Sequence, residues 1–172
     1  YDKAFGKDMR LKIEGYYQDL YGVPVETRAT WYSILNEGAD FGIGRVDSLQ
    51  NTGTGKNYGF EVTVEKFYSH GYYYLFTGSL YESKYKGSDQ KERNTAFNGN
   101  FTVNALAGKE WKIRGKNVIA INFKTTYAGG KRYLPIDLAE SKVYQETRYD
   151  EAHAYEKRRK DYFRTDIKIG YT

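Results

Sequence analysis

The segment NYGFEVTVEKFYSHGYYYLF, residues 57–76, alternates apolar and polar residues on both sides of a short Ser-His-Gly turn. Phe60, Val62 and Val64 share one parity, and polar residues occupy the other. Successive side chains of a β-strand point to opposite faces, so this period of two predicts strands with unlike faces. The rings around the turn are apolar along their bodies and polar at the tyrosine tips, which suits a boundary between hydrocarbon and water.

The same alternation recurs along most of the chain. It is found in MRLKIEGYYQDL, NYGFEVTVEKF, the stretch after the turn, NGNFTVNALAGKEW, VIAINFKTTY and DYFRTDIKIGY. These segments predict six strands, and the links between them are predicted at 22–56, 69–71, 86–95, 114–117 and 129–160. Long links alternate with tight turns, which predicts an all-β, antiparallel up-and-down meander with its long loops at one end.

The two parities define the predicted faces of this sheet. The apolar parity, predicted to face a membrane, comprises Leu11, Ile13, Phe60, Val62, Val64, Tyr74, Phe76, Leu80, Phe101, Val103, Ile119, Ile121, Phe123, Ile167 and Ile169. The polar parity, predicted to face an aqueous lumen, comprises Lys12, Glu14, Glu61, Glu65, Asn100, Asn104, Lys124, Arg164, Asp166 and Lys168. The mixed charges predict salt bridges between neighbouring strands of a lumen wall.

Composition narrows the class of protein. The chain has 172 residues with 19 Tyr, 9 Phe and 2 Trp, yet its mean hydropathy is −0.79. No apolar run approaches the roughly 18 residues that a membrane-spanning helix requires. Cysteine is absent, so disulfides and thiolate metal sites are excluded. The net charge of +5 arises from interleaved residues of both signs, which indicates a solvated surface rather than a nucleic-acid partner.

Strands of this length with one apolar face, aromatic ends and long loops on one side are typical of outer-membrane β-barrels. Such barrels need at least about eight strands to close, because an open edge in lipid leaves backbone groups unpaired. Both chain ends are predicted on the tight-turn side, with further hairpins before and after them. We therefore expect residues 1–172 to be a six-stranded part of a larger transmembrane β-barrel.

Several consecutive segments resemble one family. LKIEGYYQDLYGVPVE, NTGTGKNYGFEVTVEKF, YYYLFTGSLYESKYKGSD, RNTAFNGNFTVNALAGKEW and TYAGGKRYLPID resemble the late barrel strands of TonB-dependent outer-membrane receptors, in the branch with an N-terminal carboxypeptidase-regulatory-like domain. The resemblance implies a barrel of about 22 strands around a plug, which imports a bulky, scarce nutrient with energy from TonB. It implies the outer membrane of a Gram-negative bacterium, with lipid, lipopolysaccharide, the remaining barrel strands, the plug and TonB as partners. The plug and the TonB box have no counterpart in this chain, and no substrate-binding residue carries over.

No sequence motif indicates phosphate binding, metal binding or catalysis strongly. GTGKNYG, residues 53–59, lacks the spacing and the strand-loop-helix setting of a phosphate loop. His70 and His153 are predicted at opposite ends of the sheet and cannot share a metal. No nucleophile, base and orienting residue are grouped, so we expect no enzyme activity and no cofactor. The basic run at 157–160 is expected to be a solvated loop, with lipopolysaccharide phosphate as the alternative ligand.

Two other classes remain open. One is a soluble, aromatic-rich β-sandwich that binds carbohydrate, and the other is a smaller barrel that serves as an adhesin or an enzyme. The sandwich would stay in the aqueous fraction without detergent, whereas a barrel would need detergent. The membrane hypothesis also requires that Phe76, Val103, Ile121 and Ile167 are not covered by a second layer of the same molecule.

Overall fold

The computed structural model describes residues 1–38, 46 and 48–172. The strands are β1 (Asp2–Phe5), β2 (Met9–Glu26), β3 (Leu49–Ser69), β4 (Tyr72–Lys86), β5 (Glu92–Asn94), β6 (Phe101–Ile113), β7 (Asn117–Ala128) and β8 (Tyr162–Tyr171). A short helix, α1, covers Leu138–Tyr144, and single 3₁₀ turns cover Ile34–Asn36 and Glu151–His153. Within the described residues, no helix is both long enough and apolar enough to cross a bilayer.

All strands belong to one antiparallel sheet in the order β1-β2-β3-β4-β6-β7-β8. The prediction of an all-β, antiparallel up-and-down meander is confirmed. The count of six strands was too low, because β5 pairs with the loop end of β4 and β1 pairs with β2. β1 has four residues and β5 has three, which is too short for alternation to reveal them. The sheet does not close on itself, and β1 and β8 form its edges.

Two strands are longer than predicted. β2 continues to Glu26 and β3 begins at Leu49, so the first long loop is 27–48 rather than 22–56. The pairing passes through two irregularities near Val23, which the regular alternation could not anticipate. GTGKNYG lies inside β3, in agreement with its rejection as a phosphate loop.

The tight turns lie at one end of the sheet and the long loops at the other, as predicted. In the β3–β4 turn, His70 has φ 52° and Gly71 has φ 78°. Two consecutive residues with positive φ are characteristic of the type I′ turn, whose twist matches that of the flanking strands. The register shifts between Ser69 and Lys66, after which Val64 stands opposite Phe76 and Val62 opposite Gly78.

The hydrophobic core is small and lies at the loop end. Tyr85, Ala96, Ala154 and Tyr155 are buried together, with Trp31, Leu35 and Leu134 packed against them. Tyr85 stands opposite Gly55, which in turn stands opposite Leu20, and these residues have the polar parity of their strands. The loops therefore pack over the polar face of the sheet. A sandwich needs a second sheet, and the described residues form only one.

Candidate functional site

The apolar residues form one continuous face. Register pairs Ile13 with Val62, Val62 with Gly78, and Gly78 with Val103, and the same row continues through β7 and β8. Directly opposed residues of neighbouring strands share a face. By this criterion all fifteen residues of the predicted membrane-facing set lie on a single face, here called the apolar face.

Nothing in the described part of the chain covers the apolar face. Leu80 is 64% exposed, Ile167 67% and Ile169 71%, whereas residues between two packed layers are nearly inaccessible. Phe76 and Ile121 are also exposed, so the second layer that would have refuted the membrane hypothesis is missing from the described residues. Contiguous apolar surface of this extent marks a contact with lipid, protein or ligand.

Charges border the apolar face along single strands. On β3 this parity reads Lys56, Tyr58, Phe60, Val62, Val64 and Lys66, so the two lysines are ten positions apart. At a rise of about 3.3 Å per residue and a tilt of about 40°, ten residues span about 25 Å, the height of the apolar band of an outer-membrane barrel. Lys3, on the edge strand β1, is an exception because its charge lies within the apolar face rather than at its border. Its ammonium lies 5.2 Å from the ring of Phe5.

At the turn end, lysines of the apolar face lie against aromatic rings. The Nζ of Lys66 is 4.6 Å from the ring centroid of Tyr72, and that of Lys109 is 5.3 Å from the ring of Trp111. Lys66 also forms an ion pair with Asp8 at 2.6 Å, and its side chain is only 6% exposed. Amphipathic rings with nearby cations suit the depth of lipid headgroups.

Aromatic pairs border the loop end of the same face. Tyr17 stacks on Tyr58 with ring centroids 6.2 Å apart, and Tyr127 contacts Phe101 and Phe163 at 5.0 and 6.3 Å. Other tyrosines near this end have the opposite parity and therefore belong to the polar face. These are Tyr16, Tyr81, Tyr85 and Tyr162.

The polar face carries hydrogen-bond ladders. Thr126 donates to Asn104 Oδ1 at 2.8 Å, and the amide of Asn104 donates to Thr77 at 3.4 Å, so one ladder crosses three strands. Two ion pairs on this face differ from the prediction because they join residues of the same strand, whereas Arg10 of β2 pairs with Asp2 of β1 across neighbouring strands. Lys12 pairs with Glu14 at 2.7 Å. Arg164 pairs with Asp166 at 2.8 Å.

Asn100 does not follow the predicted lumen-facing parity. It precedes β6, has φ 71°, and donates from its side-chain amide to Glu82 at 2.7 Å. Glu82 stands opposite Tyr58 on the apolar face, at its loop end. The alternation therefore ends at Phe101, because a left-handed residue reorients the chain before the strand begins. The other nine predicted lumen-facing residues share the polar face.

Three distant segments meet at one aromatic contact above the polar face. The ring of Tyr155 lies 5.8 Å from Trp31 and 6.3 Å from Tyr85, both edge-on. The hydroxyl of Tyr85 donates to the carbonyl of Trp31 at 2.9 Å. Buried tyrosine hydroxyls need such a partner. This contact holds Trp31 and Tyr155, which come from the two long loops, against β4.

Arg132 joins the loop 129–161 to the segment that precedes β6 through neutral acceptors. It donates to the carbonyls of Asn98 and Glu156 at 2.9 and 2.8 Å and to Asn100 Oδ1 at 3.1 Å. Burial, with the neighbouring charge of Arg158, lowers the pKa of Arg132. Its hydrogen bonds explain why a guanidinium is retained at a partly desolvated position.

Between the two long loops lies a cleft of about 970 Å³, here called the loop cleft. Its aromatic lining consists of Trp31, Tyr32, Tyr133, Tyr149 and Tyr155. Its charged lining consists of Glu26, Arg28, Glu37, Glu151 and Arg159. Burial, followed by contact with the Glu37 carboxylate, raises the pKa of Tyr32 to about 12, so its phenol stays protonated.

Asn36 also lines the loop cleft. Its Oδ1 accepts from the backbone N–H of Ala96 at 2.8 Å, but its buried Nδ2 has no hydrogen-bond partner within the described residues. Tyr85 lies beside this amide and directs its own hydroxyl proton to Trp31. Sequence reasoning missed the cleft because its lining comes from residues far apart in the chain. The signals that could have indicated it were apolar side chains in loops, as in WYSIL and YLPIDL.

The remaining candidates have local partners. His70 Nδ1 contacts Ser69 Oγ at 3.3 Å at the turn end, and His153 Nδ1 contacts Asp150 at 2.7 Å in a long loop. Within the described ranges, no group of three or more histidine, cysteine or acidic residues could hold a metal ion. In the basic run at 157–160, Arg158 pairs with Asp161 at 3.2 Å.

No protein-family model, no curated protein and no solved structure matches this chain. Its function must therefore be inferred from the two surfaces described above.

Proposed function

We propose that this chain is a segment of an outer-membrane β-barrel of the TonB-dependent receptor type, which imports a bulky nutrient. The observation that carries the proposal is the uncovered apolar face, about 25 Å high along β3 and bordered by lysines. In water such a face would be a large aggregation-prone patch, whereas in a bilayer it meets hydrocarbon.

The opposite face supports the same proposal. Hydrogen-bond ladders, charged residues and inward-packed loops suit a wet interior, as found inside large barrels. Strands completing the barrel would pair with the edges at β1 and β8, and the plug would come from another part of the protein, to which the partner protein TonB would bind. The sector contributed here forms wall and loops, with no chemical step of its own.

The smaller adhesin barrel is the second candidate, because its wall would present the same two faces. The two differ in what the barrel encloses. A receptor contains a plug domain, whereas an adhesin of few strands is filled by its own side chains. The full reading frame distinguishes them.

Single cysteines provide the test, because this chain has no cysteine of its own. Phe123→Cys lies on the apolar face and Lys124→Cys on the polar face of the same strand. In isolated outer membranes, a hydrophilic maleimide should label Lys124→Cys and leave Phe123→Cys unlabelled. Equal labelling at both positions, or recovery of the protein in the aqueous fraction without detergent, would refute the proposal.

A further inference from the structure

We infer that the turn end of the apolar face carries a binding site for one anionic phospholipid. The inference rests on the proposed function, because the site needs a bilayer around the sheet. Across β4, β6 and β7 the apolar face has a groove of about 380 Å³, here called the turn-end groove, a volume within the range usual for small-molecule sites. Its apolar lining consists of Tyr72, Tyr74, Ala107, Trp111, Ile121 and Phe123.

The turn-end groove forms because β6 has a small residue between two aromatic neighbours. Ala107 stands opposite Tyr74 of β4 on one side and opposite Phe123 of β7 on the other. Directly opposed residues share a face, so the two rings form walls and the alanine methyl forms the floor between them. A flexible hydrocarbon chain fits an apolar groove of this shape.

A cation without a carboxylate partner lies at the border of the groove. Lys109 stands opposite Tyr72 and Ile121, and its ammonium lies 5.3 Å from the ring of Trp111. It forms no ion pair with another described residue. The charge of Lys109 is therefore available to an external anion.

The other charges nearby are already compensated or lie on the other face. The ammonium of Lys66, at the same border, pairs with Asp8 at 2.6 Å. Glu110 lies on the polar face of β6, where its carboxylate accepts a hydrogen bond from Tyr68. On the apolar face, Lys109 is thus the cation that favours an anion beside the turn-end groove.

The order of these groups matches the order of groups in a phospholipid. Ala107 lies two residues from Lys109, which places it about 5 Å deeper in the bilayer at the rise and tilt of a barrel strand. A headgroup phosphate on Lys109 would direct its acyl chain into the groove. A zwitterionic headgroup brings its own ammonium beside the lysine, whereas phosphatidylglycerol brings only the anion. Strands that complete the barrel at β1 and β8 would leave the groove open to lipid.

Brominated phospholipids test the inference, because bromine on an acyl chain quenches a tryptophan that it contacts. Trp111 lines the groove, so the part of the fluorescence that is lost in Trp111→Phe reports on this site. The intact protein is inserted in phosphatidylethanolamine vesicles that contain increasing amounts of one brominated lipid. Brominated phosphatidylglycerol should bind about fivefold more tightly than brominated phosphatidylethanolamine, the ratio that one lysine near anionic lipid supplies.

Two pairs of variants separate a site from a general attraction to lipid. Lys109→Gln should abolish the preference for phosphatidylglycerol, and Lys112→Gln, which removes the same charge from the polar face of the same strand, should preserve it. Ala107→Phe fills the floor of the groove and should weaken the binding of phosphatidylglycerol. Val64→Phe is its control, because it adds a ring to the same face, also two residues from a border lysine, but outside the groove.

Four results would overturn the inference. These are equal binding of the two lipids, equal loss of preference in Lys109→Gln and Lys112→Gln, equal binding by Ala107→Phe and Val64→Phe, and loss of the preference in inorganic phosphate at constant ionic strength. The last result would mean that the ligand is the anion without its acyl chain.

These outcomes are distinguishable from those of the cysteine-labelling test. Equal binding of the two lipids, together with the expected labelling pattern, would reject the phospholipid site and leave the membrane proposal intact. Equal labelling of Phe123→Cys and Lys124→Cys would reject the membrane proposal and, with it, the site.

Discussion

Val62→Arg is the substitution that most directly tests contact between the apolar face and lipid. On β3, Val62 lies four residues from Lys66 and six from Lys56, which corresponds to about 10 and 15 Å of depth at the rise and tilt of a barrel strand. An arginine near the bilayer midplane on the lipid face of a barrel costs about 2–4 kcal/mol. We therefore expect Val62→Arg to lower the free energy of unfolding by that amount.

Two matched variants distinguish the effect of the position of the arginine, its depth and its face of the sheet, from the effect of the added charge. Thr63→Arg places the same side chain on the polar face of the same strand, where water is expected and the cost should be within about 0.5 kcal/mol. Val64→Arg lies two residues from Lys66, about 5 Å from the border, where the cost should fall to about 0–1 kcal/mol. The order Val62, Val64, Thr63 in decreasing cost is the signature of a bilayer.

The assay is guanidinium unfolding of the protein inserted in phospholipid vesicles, followed by intrinsic fluorescence. The free energy is obtained by linear extrapolation, with the slope checked for a change in exposed surface. If Val62→Arg unfolds at the same denaturant concentration as Thr63→Arg, the apolar face does not meet hydrocarbon. The proposed membrane location would then be wrong.

Three further predictions concern the turn and the loops. Gly129→Ala should lower the free energy of unfolding by about 1–3 kcal/mol, because the added methyl would lie 1.7 Å from the carbonyl oxygen of Gly99. Burial opposes ionisation of Asp89, but hydrogen bonds from Arg93 at 2.7–2.9 Å outweigh it and the pKa of Asp89 is lowered. Ionised Asp89 therefore contributes its full stabilisation at pH values above the ordinary pKa of 3.8, and this contribution is lost as the pH falls through the lowered pKa. Asp89→Asn should therefore reduce the decrease in the free energy of unfolding at acid pH. His70→Val should destabilise the β3–β4 hairpin by about 1–2 kcal/mol, measured by thermal unfolding, because φ is 52° there.

Two of these variants have a conservative control. Gly15→Ala should be nearly neutral, since the closest neighbour of an added methyl is 3.9 Å away. His70→Asn should retain the hairpin, because asparagine tolerates the left-handed region. The steric and conformational explanations fail if these controls cost as much as the test variants. An Asp89→Asn variant with an unchanged acid limb would show that the Asp89–Arg93 pair does not contribute to it.

The local alternation of apolar and polar residues was enough to predict the long strands and the two faces of the sheet. The parity of Val62, Val103 or Ile121 is set by neighbours two residues away, so one pass along the sequence separates the two faces. The short strands β1 and β5 and the extension of β2 to Glu26 depend on pairing with distant segments, which local periodicity does not contain. The predicted face of Asn100 differs from the structure because its left-handed backbone interrupts the two-residue alternation.

The loop cleft shows the same limit more clearly. Its position depends on Tyr155 meeting Trp31 and Tyr85, residues brought together from three separate segments. Likewise, the pairing of Lys66 with Asp8 allows a lysine on the apolar face, which alternation alone would exclude. Tertiary contacts of this kind decide where a polar residue can be buried.

The nearest-neighbour order of the long strands has an evolutionary consequence. Except for the short β5, each strand pairs only with those before and after it in the chain. A hairpin is then a unit that can be duplicated or deleted without changing the register of the others. In the proposed barrel, whose diameter would grow with strand number, such events would widen or narrow the interior in two-strand steps. Selection could thus adjust the size of solute admitted while every remaining hairpin keeps its inherited sequence.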